Sequence, residues 1–129
     1  RDYAVTGVQT CALPISGDIT PHIRRMYDGC AAMLLECNHD REMLENGSYP
    51  PSLKDRVGGP LGHLSNSQAA GLLRRLDTQW LQHLVAAHLS EKNNTPELAR
   101  TALAEAVDCE PDWIAVADQQ MGLDWREIT

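Results

Sequence analysis

Apolar residues occur along this chain in short uninterrupted runs, separated by segments with helical periodicity. The runs lie at 31–35, at 84–87 within a predicted strand over 81–87, and at 113–117. Each is long enough for a buried strand but too short for a buried helix. Polar residues follow each run directly. Short buried strands that alternate with helices predict an α/β structure, in which helices pack on a sheet.

The segments between these runs contain start and stop signals that are typical of helices. We predict helices over 22–28, 41–45, 53–57, 65–76 and 96–107. Ser65 and Gln68 form a capping box, and so do Asn94 and Glu97. In the fourth helix the expected inward positions are Ala69, Leu72, Leu73 and Leu76, and in the fifth they are Leu98, Ala102, Leu103 and Ala106.

The composition restricts the class of protein. A length of 129 residues allows one domain or part of one, and a formal charge of −7 argues against binding nucleic acid through a broad basic surface. No apolar run approaches the roughly 20 residues that span a bilayer, so no membrane partner is expected. The four cysteines show no Cys-x-x-Cys spacing. That pattern favours reduced thiols and a cytoplasmic location.

Three side chains with catalytic or metal-binding chemistry lie where a predicted element ends or begins. Glu36 ends the first run, and His88 ends the second. His63 follows the glycine-rich stretch 58–62 and precedes a helix start, which favours anions. A carboxylate next to an imidazole would form a general acid–base pair, and imidazole is a common metal ligand. Taken singly, each histidine is also consistent with a purely structural role.

Three longer motifs contain these residues: 34–40 (Leu-Leu-Glu-Cys-Asn-His-Asp), 62–66 (Gly-His-Leu-Ser-Asn) and 87–95 (Ala-His-Leu-Ser-Glu-Lys-Asn-Asn-Thr). Together they resemble the C-terminal half of the metallo-β-lactamase-fold hydrolases. The nearest branch is that of the YycJ/WalJ-like exonucleases, which is related to tRNase Z and to cyclic phosphodiesterases. The resemblance extends from residue 17 to about residue 125. It implies half of an αβ/βα sandwich.

The resemblance also implies a mechanism. The family binds two divalent metal ions, zinc or manganese, and uses a metal-activated water to attack a phosphodiester. By motif, His88 matches a metal ligand. His63 matches the histidine that stabilises or protonates the leaving oxygen, and Glu36 matches the acid that pairs with it. His39 is carried over as a substrate contact.

Other features of the family are missing. Its first metal cluster, His-x-His-x-Asp-His, does not occur in the sequence, and Ile15 stands where a bridging aspartate belongs. Residues 5–15 resemble the translation of a common sequencing adapter. We therefore expect residues 1–16 to be non-native and residues 17–129 to form the C-terminal part of the domain.

The sequence thus predicts a metal-dependent phosphodiesterase or nuclease that acts on nucleic acid. The chain itself would be an inactive, metal-free fragment, because one histidine cannot hold a hydrolytic zinc. The alternatives are a cyclic phosphodiesterase acting on small molecules and a non-catalytic α/β interaction module. The sequence does not determine the oligomeric state.

Overall fold

A four-stranded parallel sheet lies at the centre of the computed structural model, which describes residues 10–13, 20–60 and 62–129. Its strands are β1 (Thr10–Leu13), β2 (Ala32–Glu36), β3 (His83–Ala87) and β4 (Ala115–Val116). They pair in chain order, and β2 and β3 are aligned from Ala32 opposite His83 to Glu36 opposite Ala87. Because the strands are parallel, their carboxyl ends lie at one edge of the sheet. The predicted α/β class is confirmed.

The helices of the described residues lie close to the predicted positions. They are α1 (Pro21–Tyr27), α2 (Arg41–Asn46), α3 (Pro51–Gly58), α4 (Asn66–Arg75) and α5 (Pro96–Val107). The side chains of Thr20, Asp40 and Ser65 each accept a hydrogen bond from a backbone N–H three residues later. The capping box of Ser65 and Gln68 is also present. Side-chain capping therefore determines where α1, α2 and α4 begin.

The hydrophobic core lies between the sheet and the helices α4 and α5. From the sheet it takes Met33 and Leu35 of β2 and Leu84 and Ala86 of β3. These residues alternate along each strand, so they point to the same face. The predicted inward residues of α4 are all buried: Ala69, Leu72, Leu73 and Leu76. Apolar burial on this face holds the two central strands in register.

The other face of the sheet is in contact with the C-terminal tail. Leu123, Trp125 and Ile128 of the tail line a depression together with Leu34 and Val85. Polar contacts also hold the tail. Gln82 bonds to both the backbone and the side chain of Thr129, and the carbonyl oxygen of Glu127 lies 2.7 Å from His83 Nε2. Trp125 itself remains fully exposed, so the tail is anchored by hydrogen bonds near its end.

Two expectations about the C-terminal third are wrong. The run 113–117 is not one strand, because a 3-10 turn occupies Pro111–Trp113 and β4 contains only Ala115–Val116. The inward face of α5 is made by Ala99, Leu103 and Ala104, whereas Leu98 is 40% exposed. The apolar residues of α5 occur on more than one side of the helix. For this reason, periodicity alone did not identify the buried face.

The start of α5 also differs from the prediction. Its N-cap is Thr95, whose hydroxyl accepts from the N–H of Leu98. Asn94 is buried instead and exchanges two hydrogen bonds with the side-chain amide of Asn66, at 2.8 and 2.9 Å. Its amide nitrogen also donates to the carbonyl of Cys37. Asn94 therefore links the segment before α5 to the start of α4 and to the segment after β2. The N-cap of α5 is the next residue, Thr95.

Several expectations concern residues only partly described. β1 falls inside the adapter-like segment 1–16 and pairs with β2, while the rest of 1–19, with Ile15, lies outside the described residues. The non-native origin of that segment stays a prediction.

Cys30 is disulfide-bonded, which contradicts the expectation of reduced thiols throughout, whereas Cys37 and Cys109 are free. Among the helices described, we find none with the length and apolar content needed to cross a bilayer.

The roles of the neighbouring residues Asn94 and Thr95 can be distinguished by how much stability each loses when replaced by alanine. We expect Thr95→Ala to lower the free energy of unfolding by about 1 kcal/mol, the usual effect of losing an N-cap. Asn94→Ala should cost more, because it leaves the buried amide of Asn66 and the carbonyl of Cys37 short of partners. Urea unfolding followed by circular dichroism measures both effects.

Thr101→Ala is the matched control, since Thr101 is exposed in the middle of α5. Its unfolding midpoint should stay the same or rise slightly, because alanine has the higher helix propensity. A loss of about 1 kcal/mol for Asn94→Ala, with none for Thr95→Ala, would restore Asn94 as the cap.

Candidate functional site

Three segments meet at the carboxyl edge of the sheet. Beyond β2 the backbone continues alongside β3, because the N–H of Cys37 donates to the carbonyl of Ala87. On its other side the N–H of Asn38 donates to the carbonyl of Leu64. The chain after β2 is thus held between the end of β3 and the segment that leads into α4. This arrangement brings together the three motifs that the sequence singled out.

Glu36 is the last residue of β2 and has no exposure to solvent. Its Oε1 accepts a hydrogen bond of 2.6 Å from the backbone N–H of Leu64. Its Oε2 lies 3.5 Å from Nδ1 of His63. Opposite an ionised carboxylate, which can only accept, Nδ1 of His63 would be the donor in this pair. The structure brings Glu36 and His63 together, as the sequence analysis anticipated.

The side chain of His63 is 41% exposed, so one side of its ring reaches solvent. The loop before it is tight, because the N–H of His63 donates to the carbonyl of Val57 at the end of α3. A Cβ atom at Gly62 would come within 2.2 Å of the carbonyl oxygen of Arg56. Only glycine allows this close approach of two backbones. The loop thus fixes the position from which His63 reaches Glu36.

His88 is the first residue after β3 and is exposed. Its φ of +56° places it in the left-handed region, which is uncommon for a residue other than glycine. Asn38 supports this conformation, since its side-chain amide donates to the carbonyl of His88 over 3.1 Å. The carbonyl of Asn38 also accepts from the N–H of Ser90. The backbone of His88 is therefore held by the side chain of Asn38 rather than by the sheet.

His63 and His88 line the same open pocket, which has a volume of about 430 Å³. The side chains of Asn38, Ser90 and Gln119 also face it. With Nδ1 directed at Glu36, Nε2 is the atom of His63 that remains for a ligand. The pocket thus offers two imidazoles and several amide and hydroxyl groups at the carboxyl ends of parallel strands, where α/β proteins commonly bind ligands.

His39, the expected substrate contact, is only 1% exposed. Its Nδ1 lies 3.3 Å from the side-chain oxygen of Asn38, and its backbone pairs with that of Ser65. Burial lowers the pKa of His39, and the nearby His63 and Arg41 lower it further, which keeps the ring neutral. The ring does not line the pocket of His63 and His88, and a substrate contact by His39 stays a prediction.

A metal centre needs more ligands than the described residues supply. In residues 20–60 and 62–129, no group of three His, Cys, Asp or Glu side chains is placed to hold a metal ion. Burial, with a smaller effect from Glu36, raises the pKa of the Cys37 thiol well above its usual range, so no thiolate forms there. Hydrolytic zinc takes three protein ligands and an open position. The described residues therefore do not fit such an ion, and His88 as a metal ligand stays a prediction.

Sequence reasoning missed the asparagines of this site. Asn38 contacts both His39 and His88, and the pair formed by Asn66 and Asn94 closes the base of the site. All three lie inside the motifs, but asparagine near a strand end or a helix start is usually interpreted as a cap or a turn residue. Only the recurrence of asparagine in all three motifs could have pointed to a shared network.

The buried neutral His39 makes stability depend on pH. A histidine whose pKa is lowered by folding stabilises the native state fully above its unfolded value of about 6.5, and this contribution is lost as the pH falls through the folded pKa. We expect the free energy of unfolding to fall from pH 7 towards pH 5, and His39→Gln to reduce that fall. His22→Gln, at an exposed position, should leave it unchanged. Equal pH dependence of the parent and His39→Gln in urea unfolding would contradict the assignment.

Comparisons with known proteins identify relatives of this chain. No protein-family model matches it, and neither does any solved structure. It is 36% identical to exodeoxyribonuclease YycJ of Bacillus anthracis over 93 residues, which cover 72% of this chain and 35% of the relative. It is 32% identical to exodeoxyribonuclease WalJ of Streptococcus pneumoniae serotype 2 over 111 residues, which cover 86% and 39%.

These matches confirm the resemblance that the three motifs indicated. The chain spans little more than a third of the length of the curated relatives it matches. Over most of its own length it is therefore similar to part of the YycJ/WalJ exodeoxyribonucleases.

Proposed function

We propose that this chain is the C-terminal part of a metallo-β-lactamase-fold phosphodiesterase, which hydrolyses DNA from its ends. The relatives are named exodeoxyribonucleases, and these names supply the substrate class. The observation that best supports the reaction is the buried Glu36 in contact with His63, at a pocket that also contains His88. A hydrolase needs a proton donor held close to the leaving oxygen, and this pair is suited to that task.

Glu36 would act by orienting and charging His63. With Oε1 fixed by the N–H of Leu64, its Oε2 is left to accept from Nδ1 of His63. The carboxylate stabilises the protonated imidazole, and Nε2 then points a proton at the pocket. As a phosphodiester bond breaks, negative charge grows on the leaving oxygen. His63 would stabilise that oxygen and give it the proton.

Two divalent metal ions, zinc or manganese, remain the cofactors of the proposed enzyme. Such ions supply a water of lowered pKa and neutralise charge on the phosphoryl group. His88 is the metal ligand that we propose from this chain. The described residues do not complete a set of three ligands. We therefore expect the chain by itself to be metal-free and inactive.

Two other functions can be separated from this one by experiment. A cyclic phosphodiesterase on the same scaffold would cleave cyclic nucleotides and leave DNA ends intact. A non-catalytic interaction module would cleave neither, even when the chain is extended upstream with its native coding sequence. If the native sequence upstream of this chain lacks the His-x-His-x-Asp-His cluster, the non-catalytic interaction module is favoured.

The role of His63 can be tested in the protein extended upstream to its native start. We expect this protein to release nucleotides from the ends of labelled DNA and to bind about two metal ions per chain. His63→Ala should lower turnover by about 10²- to 10⁴-fold, the usual contribution of a general acid, while metal content by atomic emission stays constant. Glu36→Gln should lower turnover too, because the neutral amide no longer stabilises the charged imidazole.

His22→Ala is the control, since His22 is exposed on α1 and outside the pocket. Its turnover should equal that of the parent. Loss of metal from His63→Ala would overturn the assigned role of His63, and a fully active 129-residue chain would overturn the expectation that it is inactive.

A further inference from the structure

The pocket with His63 and His88 contains one permanent positive charge among its described lining residues, that of Lys92. Glu91 next to it is acidic, and the other lining groups are neutral or histidine. The described residues give Lys92 no carboxylate partner within ion-pair distance. Its charge is therefore available to a ligand, in a chain whose formal net charge is −7.

The ammonium group of Lys92 nevertheless has a defined place. Its Nζ lies 5.9 Å from the centroid of the Tyr49 ring, within the range of a cation–π interaction. Tyr49 is half-buried in the connection between α2 and α3, and it lines the same pocket. The ring thus holds the positive charge at the rim, on the same side as the two histidines.

The backbone around Lys92 is held as well. The carbonyl of the buried Asn93 accepts from the N–H of Asp40 over 2.8 Å, and its N–H donates to the hydroxyl of Ser90. This turn is therefore tied to the segment that follows β2. A lysine on a fixed turn, with its ammonium already placed, loses less conformational entropy when it binds an anion.

From this geometry we propose that Lys92 binds a backbone phosphate of the nucleic-acid substrate, and that Tyr49 positions its ammonium for that contact. The inference rests on the proposed function, because it takes a polynucleotide as the ligand of this pocket. It assigns the rim of the pocket to phosphate binding, beside the histidines that we propose act on the scissile bond. Lys92 and Tyr49 are substrate-positioning residues in this scheme.

The experiment measures binding of a short fluorescein-labelled oligothymidylate to the 129-residue chain by fluorescence anisotropy, over a range of salt concentrations. Lys92→Ala should weaken binding about tenfold at low salt, as expected for loss of one hydrogen bond to a charged group. It should also reduce the slope of log K against log salt by about 0.7, the effect of one phosphate contact on a single strand. Tyr49→Leu should weaken binding about two- to fivefold, and Tyr49→Phe should bind like the parent, since its ring keeps the cation–π contact.

Arg75→Ala is the matched control, because Arg75 is an exposed cation at the end of α4 and does not line the pocket. It removes the same charge and should leave affinity and salt slope close to those of the parent. Equal losses for Lys92→Ala and Arg75→Ala would mean that the attraction is non-specific and would overturn the proposal. A loss confined to Tyr49→Leu, with Lys92→Ala unchanged, would assign the ring to base stacking and overturn it as well.

Failure of the proposed function gives a different result. A parent chain that binds no oligothymidylate ends the inference about Lys92, whereas DNA cleavage by the upstream-extended protein decides the proposed function separately. Cleavage of DNA by that protein, with Lys92→Ala and Arg75→Ala alike in their KM, would overturn the role of Lys92 alone.

Discussion

The carboxylate of Glu36, fully removed from water at the end of β2, is the constraint on which the site depends. A buried charge is costly unless hydrogen bonds and an opposite charge compensate it. Here the N–H of Leu64 and the ring of His63 are the groups that contact its two oxygens. Their positions follow from the path of the loop between α3 and α4. The burial of Glu36 at the end of β2 therefore depends on the conformation of the loop between α3 and α4.

A second set of buried polar groups extends this constraint to α5. Asn66 at the start of α4 and Asn94 just before α5 satisfy each other's amides, and Asn94 also satisfies the carbonyl of Cys37. Buried amides with several partners lose more when one partner is removed than exposed ones do. The segments that hold His63 and His88 are thus fixed by polar contacts, while the apolar core fixes the sheet behind them.

The sequence predicted the parts of this structure that depend on neighbours along the chain. The capping box of Ser65 and Gln68, and the bounds of α5, follow from local hydrogen bonds and periodicity. The motifs also indicated that Glu36 and His63 belong to one site. What could not be predicted depends on contacts between distant residues: the burial of Asn94 against Asn66, the inward face of α5 and the interior position of His39. These are decided by which surfaces meet, and a single sequence does not specify that.

The backbone of His88 has a consequence for how this site can change. A non-glycine residue in the left-handed region stores about 1–3 kcal/mol of strain. Glycine or asparagine at this position would release part of that strain while removing the imidazole. The backbone conformation at residue 88 and the proposed role of its imidazole therefore favour different side chains. A chain optimised for stability alone would place glycine or asparagine there.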